Sequence, residues 1–270
     1  MHTPPPPASP TSLADKIPIV HSVALTQPLH WLALGWRDMT RCGWISLLHG
    51  LVMAVGGAVI LMIAHGHFWL LAGAISGFLV VAPLLATGLY ALSRALERGE
   101  KADARLVMNT WLSWQNACLV RFGALLALAA TGWVMTSAAL ITLLAPVPIH
   151  TPFDFVEHVV LSPNSYLFDV WLMLGGLLAA PIFASSVVTI PLLLDRKVTM
   201  LQAVLTSWRV MLANPMPMAL WAAFLMGLTM LGFGLALLGL MVVIPLLGHA
   251  SWHAYRDLVD ASALAPWESR

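Results

Sequence analysis

Three histidines lie in or at the end of apolar runs, where ionisable side chains are rare and tend to have a job. His49 falls between one and two turns into the first run, and His249 and His253 share a helical face near the end of the last. Two neutral imidazoles meeting between helices can ligate a haem iron, so His49, His249 and His253 form a candidate haem site. A helix-to-helix hydrogen bond uses the same residues without any cofactor, and it is the simpler expectation. His253 and Asp257 stand four apart, which predicts an ion pair on one helix face.

A second group of possible ligands lies in the stretch IHTPFDFVEHVVLSPNS. Thr151 can cap a helix, Pro152 suits its first position, and Asp154 stands where a capping-box acid would be, so a short helix is predicted to start here. On an α-helix Asp154, Glu157 and His158 then share a face. With His65, His67 and His150 on the same side of the chain they offer nitrogen and oxygen ligands for a divalent metal. No HExxH and no fixed ligand spacing accompanies them, and a solvated polar face accounts for the same residues.

No nucleophile elbow, P-loop, dinucleotide fingerprint or CxxCH is present, so no catalytic residue is assigned. Asp169 and Asp195 stand near the ends of the fourth apolar run, and no carboxylate falls at a run's centre, where proton-coupled carriers commonly bury one. Cys42 and Cys118 have no CxxC spacing and read as small packing residues in a reduced compartment.

The elements that must position these side chains are membrane helices. Hydrophobic residues make up 60% of the 270 and charged residues 9%, a balance no water-soluble fold can hide. The net charge of +1 supplies no basic field for nucleic acid. A span needs about 20 apolar residues. Spans are predicted over 43–64, 68–92, 122–144 and 167–194. The block 217–255 is too long for one and is divided near Gly232 to Gly239 into a fifth and a sixth. With six spans and both ends inside, all 13 Lys and Arg residues fall on one side, as the positive-inside rule requires of the cytoplasmic face.

Three segments repeat a pattern: VVAPLLATGLYALSR around Pro83, VVTIPLLLDRK around Pro191, and VVIPLLGHASWHAYRD around Pro245. In the middle copy, aligning APIFAS with APLLAT selects Pro181 instead, and the two alignments stand side by side. Such prolines can kink a span. An arginine follows each apolar run, and Arg94, Arg196 and Arg256 are expected to anchor the ends on the inner side. Ahead of each pair of spans lies a shorter amphipathic pattern: Leu29, Leu32, Trp36 and Met39; Val107, Trp111 and Trp114; Leu201, Val204, Leu205, Trp208, Met211 and Leu212. Trp36, Trp111 and Trp208 suit the headgroup boundary, although these faces could equally pack on the bundle. Gly73 and Gly77 have the spacing of a close helix contact.

The expected fold is therefore an all-α membrane protein of six transmembrane helices, arranged as three pseudo-repeated hairpins, each preceded by an interfacial cytoplasmic helix. Residues 1–28, which include PPPP and no apolar leader, are expected to be a disordered tail. Residues 29–259 form the membrane domain, and 260–270 a second cytoplasmic tail.

WLALGWRDM, GFLVVAPLLATGLYALSRALERGE, IPLLLDRKV, ANPMPMALWA and VVIPLLGHASWHAYRDLV together resemble the bacterial integral membrane family filed as domain of unknown function 2189. Some of its members are labelled cytochrome c oxidase subunit I. The resemblance covers residues 31–259 and implies a multi-pass protein of the bacterial inner membrane, with no family activity or site residues to carry over. A catalytic oxidase core holds two haems and a copper on histidines from several spans, which this chain does not supply. The expectation is a non-catalytic partner of lipid and of other membrane proteins, serving as scaffold or assembly factor of a larger complex. A permease or channel built from the repeats is one alternative, and a haem or metal protein another. Oligomeric state is left open.

Overall fold

The structure is a computed structural model and describes residues 18–63, 70–71, 74, 86–112, 117–162 and 166–267. Expectations placed on residues 1–17, on His65, His67, Pro83 and Trp114, on Gly73 and Gly77, and on most of the second span lie outside the described residues.

Helix α1 (Gln27–Cys42) has Pro28 in its first turn, where the missing N–H costs nothing, and ends on Gly43 at φ 57°, a left-handed φ that glycine tolerates. The chain then enters α2 (Trp44–Ile63). After the undescribed stretch come α3 (Thr87–Glu97), α4 (Ala104–Leu112) and the long α5 (Ala117–Leu144). A short α6 (Pro152–Phe155) runs on as one π-helical segment to Val160 and precedes α7 (Leu167–Ser186) and α8 (Thr189–Asp195). The remaining helices are α9 (Met200–Ala213), α10 (Pro215–Gly234) and α11 (Leu240–Leu258).

Among the described residues, four stretches are long and apolar enough to cross a bilayer: Trp44–Ile63, Ala117–Leu144, Leu167–Asp195 and Pro215–Gly234. They coincide with the predicted first, third, fourth and fifth spans. The block 217–255 does divide, at a turn through Leu235–Gly239 in which Ala236 and Leu237 take φ of 52° and 67°. Left-handed φ at a leucine is uncommon, and here the tight reversal between two apolar helices requires it.

Helix α11 differs from those four stretches. It carries His249, Trp252, His253, Tyr255, Arg256 and Asp257, and it lies inside the protein, against α1, α2, α3 and α10. Close crossings fix its place. A Cβ on Gly35 would come within 2.7 Å of the Ala250 nitrogen, and one on Gly50 within 2.5 Å of the Met241 backbone. Both neighbours are backbone, so these approaches tolerate no side chain.

Pro191, not Pro181, breaks the fourth apolar run. Helix α7 passes through Pro181 and stops at Ser186, and α8 restarts at Thr189. A proline ring clashes with the carbonyl four residues back, which for Pro191 is that of Val187, where the helix is interrupted. Pro245 sits within the continuous α11.

The two expected tails do not begin where packing stops. Strand β1 (Ile19–Val20) pairs antiparallel with β2 (Val259–Asp260). Asn214 holds the same segment, its Oδ1 accepting from the Val23 N–H at 2.8 Å and its Nδ2 donating to the His21 carbonyl at 2.9 Å. At the other end, the N–H groups of Lys197 and Trp267 donate to the carbonyls of Ala265 and Asp195, both at 2.9–3.1 Å. Backbone pairing and a buried amide thus extend the fold beyond residues 29–259.

Replacing Gly50 by Val drives a branched side chain into the Met241 backbone and is expected to cost about 1–3 kcal/mol, read as a lower thermal midpoint of the detergent-solubilised protein. Gly132, with open space where its Cβ would be, serves as the control. Gly132→Ala is expected to be neutral or stabilising by up to about 1 kcal/mol. Equal midpoints for the two variants would contradict the close crossing.

Candidate functional site

The functional candidates collect around α11, and each polar side chain on it meets a partner from a different helix. Asp38 is buried on α1 because the packed face of that helix is Trp31, Gly35, Asp38 and Cys42. Ser46 and Ser93 are equally buried on α2 and α3. These four elements bring Asp38, Ser46, Ser93, His249 and His253 into one hydrogen-bonded chain.

Its proton directions follow from the inventory of donors. The Ser93 hydroxyl donates its one hydrogen to Asp38 Oδ2 at 2.9 Å. Its oxygen therefore accepts from His249 Nδ1, 2.7 Å away. With the hydrogen of a neutral imidazole on Nδ1, Nε2 is an acceptor, and the Ser46 hydroxyl donates to it at 2.8 Å. His253 Nε2 donates to Asp38 Oδ2, also at 2.8 Å. The sequence runs Ser46 to His249 to Ser93 to Asp38, with His253 entering from the other side. Burial alone would raise the Asp38 pKa, but the hydrogen bond and charge of His253 and the bond from Ser93 hold it below the usual carboxylate range. Cys42 lies close by, and burial pushes its thiol up, in keeping with a packing role.

Two further carboxylates complete a cage around the end of α11. Asp195, buried at the end of α8, accepts from the Tyr255 hydroxyl at 3.0 Å and pairs with Arg196 at 2.9 Å and Arg98 at 3.2 Å. Glu97 of α3 accepts from Trp252 Nε1 at 3.0 Å and from Arg256 Nε at 2.9 Å. Burial works against the Arg256 charge, yet Glu97 beside it holds the pKa above its ordinary value. Arg94 Nη1 donates to the Leu194 carbonyl at 2.9 Å. The expected anchors Arg94, Arg196 and Arg256 thus meet at one end of the molecule, joined to one another through α3, α8 and α11.

The predicted pair of His253 with Asp257 does not form. His253 turns to Asp38, while Asp257 Oδ2 accepts from Gln27 Nε2 at 2.6 Å and Trp31 Nε1 at 2.7 Å. Partners from another helix replace the local i, i+4 contact because α1 lies directly against α11. Of the three histidines of the haem expectation, His249 engages both ring nitrogens and His253 its Nε2 in hydrogen bonds within the protein. His49 is different: its Nδ1 donates to the Ile45 carbonyl at 2.8 Å, and its buried Nε2 has no partner among the described residues.

In the segment that holds Thr151 and Asp154 the capping box forms as expected. The Asp154 N–H donates to Thr151 Oγ1 at 3.1 Å, and the N–H groups of Thr151 and His150 donate to Asp154 Oδ2 at 3.0 Å. The hydrogen bond from the His150 N–H, followed by that with the Thr151 side chain, holds the Asp154 pKa below its ordinary value. Its carboxylate is therefore committed to the cap. Beyond Phe155 the helix widens to π geometry, so Asp154, Glu157 and His158 lose the α-helical spacing that would align them. Among the described residues no group of three or more His, Cys, Asp or Glu is placed to hold a metal.

Asp38, Ser46, Ser93 and Glu97 were not singled out in the sequence. A faint signal existed for Asp38, which interrupts the helical pattern of α1 four residues before Cys42, on the face opposite Leu29 and Trp36.

Residues 70–195 match the model of a family described as predicted integral membrane protein, DUF2189. This agrees with the family that the five sequence motifs point to, and the chain is an integral membrane protein. No curated protein and no solved structure matches it.

Asp38→Ala leaves Ser93 and His253 without their acceptor and is expected to lower stability by about 3 kcal/mol. Because the folded pKa of Asp38 is depressed, its contribution is present above the ordinary carboxylate range and lost as pH falls through the folded value. The thermal midpoint of the wild type should drop on acidification below about pH 4. Asp38→Asn should flatten that drop, and an unchanged acid profile in this variant would rule out Asp38 as its source.

Proposed function

We propose that the chain is a non-catalytic scaffold or assembly partner of a larger complex in the bacterial inner membrane, with both termini in the cytoplasm. The observation that carries this reading is the orientation of the three tryptophan helices. On α9, Gln202, Thr206 and Ser207 are buried, whereas Leu201, Leu205 and Leu212 face outward and Trp208 is 40% exposed. On α1, Leu29 faces outward and Trp36 is 52% exposed; on α4, Met108 and Leu112 do so, with Trp111 at 44%. On α9 a polar face packed inward and an apolar face turned out, and on α1 and α4 a tryptophan among exposed apolar residues, suit helices lying at the headgroup boundary, where lipid or a partner's apolar surface covers them. Met39 and Val107 leave the expected stripe and are buried.

Six spans in three pseudo-repeated units remain our reading of the architecture, and one packing relation supports it. Helix α4 packs on α3, α9 on α7 and α8, and α1 on α11. Each tryptophan helix thus rests on the end of the preceding unit, and the first rests on the last, closing a ring. The segments that follow Pro191 and Pro245 and that contain α3 also touch one another. Tyr90 of α3, Leu192 and Leu193 of α8 and Tyr255 of α11 are buried in one apolar cluster, so the permease alternative takes no support from this end of the molecule.

A photo-crosslinking residue at Leu205 or Met108, read by mass spectrometry in native membranes, should capture a defined membrane-protein partner. The family labels make a respiratory oxidase the first candidate. Capture of lipid or of the same chain alone, together with intact respiratory complexes in a deletion strain, would sink the proposal.

A further inference from the structure

The arginines of this protein fall into two groups. Arg94, Arg98, Arg196 and Arg256 are engaged within the fold, on Glu97, Asp195 and the Leu194 carbonyl. Arg37 and Arg41 on α1 are exposed, and neither is hydrogen-bonded to a carboxylate among the described residues. Arg37 Nε comes only to 3.8 Å from Asp38 Oδ1, on a carboxylate that already accepts from Ser93 and His253, and Arg41 has no ion-pair partner among the described residues. We propose that Arg37 and Arg41 form a binding site for the phosphate of an anionic glycerophospholipid, whose acyl chains lie along the exposed face of α2.

Three observations lead there. First, the two arginines stand four apart on α1, one turn from each other on a single face, so their guanidiniums are neighbours. A guanidinium meets a phosphate through parallel N–H···O bonds, which a point charge does not supply. Helices α4 and α9 carry one arginine each, Arg105 and Arg209, so the pair is particular to α1. Second, the pair lies where α1 gives way, at Gly43, to a stretch long and apolar enough to cross a bilayer. Leu48, Val52, Val55 and Val59 recur at helical spacing along α2 and are exposed, so hydrocarbon covers that side from just beyond the arginines. Trp36 precedes the pair and Trp44, 65% exposed, follows it, and indole rings favour the headgroup level. A phospholipid at this junction therefore meets cations, interfacial aromatics and an apolar surface in the order of its own parts. Third, the charge is complementary to an anion. Asp38 is the one acid of α1 and is buried, so the exposed face carries positive charge alone. An anionic headgroup neutralises it, whereas a zwitterionic one brings a cation of its own beside the phosphate.

The inference takes α1 as a helix at the headgroup boundary but does not depend on the scaffold role, whose probes stand on α4 and α9, so the two fail separately. The full-length protein in neutral detergent is titrated with phosphatidylglycerol or with phosphatidylcholine, and bound lipid is counted by native mass spectrometry. Phosphatidylglycerol should bind in preference. Arg37→Gln and Arg41→Gln should each weaken its tightest binding about fivefold, and together roughly thirtyfold, with phosphatidylcholine unaffected. Arg209→Gln, which removes a single exposed arginine, should leave the affinity within about twofold. A photo-reactive phenylalanine in place of Trp44, with both arginines intact, gives a reading that does not rely on the folding of those variants. In vesicles of equal phosphatidylglycerol and phosphatidylcholine it should capture phosphatidylglycerol in excess of its share. Capture in proportion to composition, capture of a protein instead of lipid in native membranes, or an affinity unchanged by the double substitution overturns the proposal.

Discussion

A polar side chain carried into an apolar interior must find its hydrogen-bond partners there, and that requirement organises this protein around α11. Six of the last ten residues of the helix bring an imidazole, indole, phenol, guanidinium or carboxylate to a place with little water, and left alone each would cost several kcal/mol. Partners come from elsewhere in the chain: Asp38 from α1, Ser46 from α2, Ser93 and Glu97 from α3, Asp195 from α8. Since each helix supplies a different partner, the polar groups specify which helices lie together and in what rotation. Apolar contact alone specifies this poorly between helices in lipid, where sliding one leucine past another changes little.

The same requirement explains why α9 presents its oily side outward. Gln202, Thr206 and Ser207 are sheltered inside, so the opposite face is left for whatever surrounds the protein. In water this would be a liability. At a membrane boundary it is the arrangement with the lower free energy, because apolar side chains meet hydrocarbon while hydroxyls and amides stay paired. Charge follows suit: Arg94, Arg98, Arg196 and Arg256 gather where Glu97 and Asp195 await them.

The long apolar runs were legible in the sequence to within a few residues, because burial in lipid imposes both length and composition on a span. The break before Leu240 was legible for the same reason, as a run too long for one crossing. The capping box at Thr151 and Asp154 was readable because both partners lie three residues apart. The cage was not. His253 was paired in the sequence with Asp257, a neighbour on its own helix, while its true partner Asp38 is 215 residues away. No periodicity encodes such a contact. The choice between Pro181 and Pro191 was hidden likewise, because both stand in similar apolar surroundings and only the helix interruption at Val187 tells them apart.

Everything about α11 rests on His249 being a neutral imidazole with its hydrogen on Nδ1, given to Ser93, and its bare Nε2 receiving the Ser46 hydroxyl. Nitrogen-15 magnetic resonance of the histidine-labelled protein in lipid reads this tautomer directly, with His249→Gln to assign the signal. The account predicts a neutral His249 whose Nδ1 is protonated and whose Nε2 has the shift of an unprotonated acceptor. A His249 protonated on Nε2, or on both nitrogens, at neutral pH would contradict it.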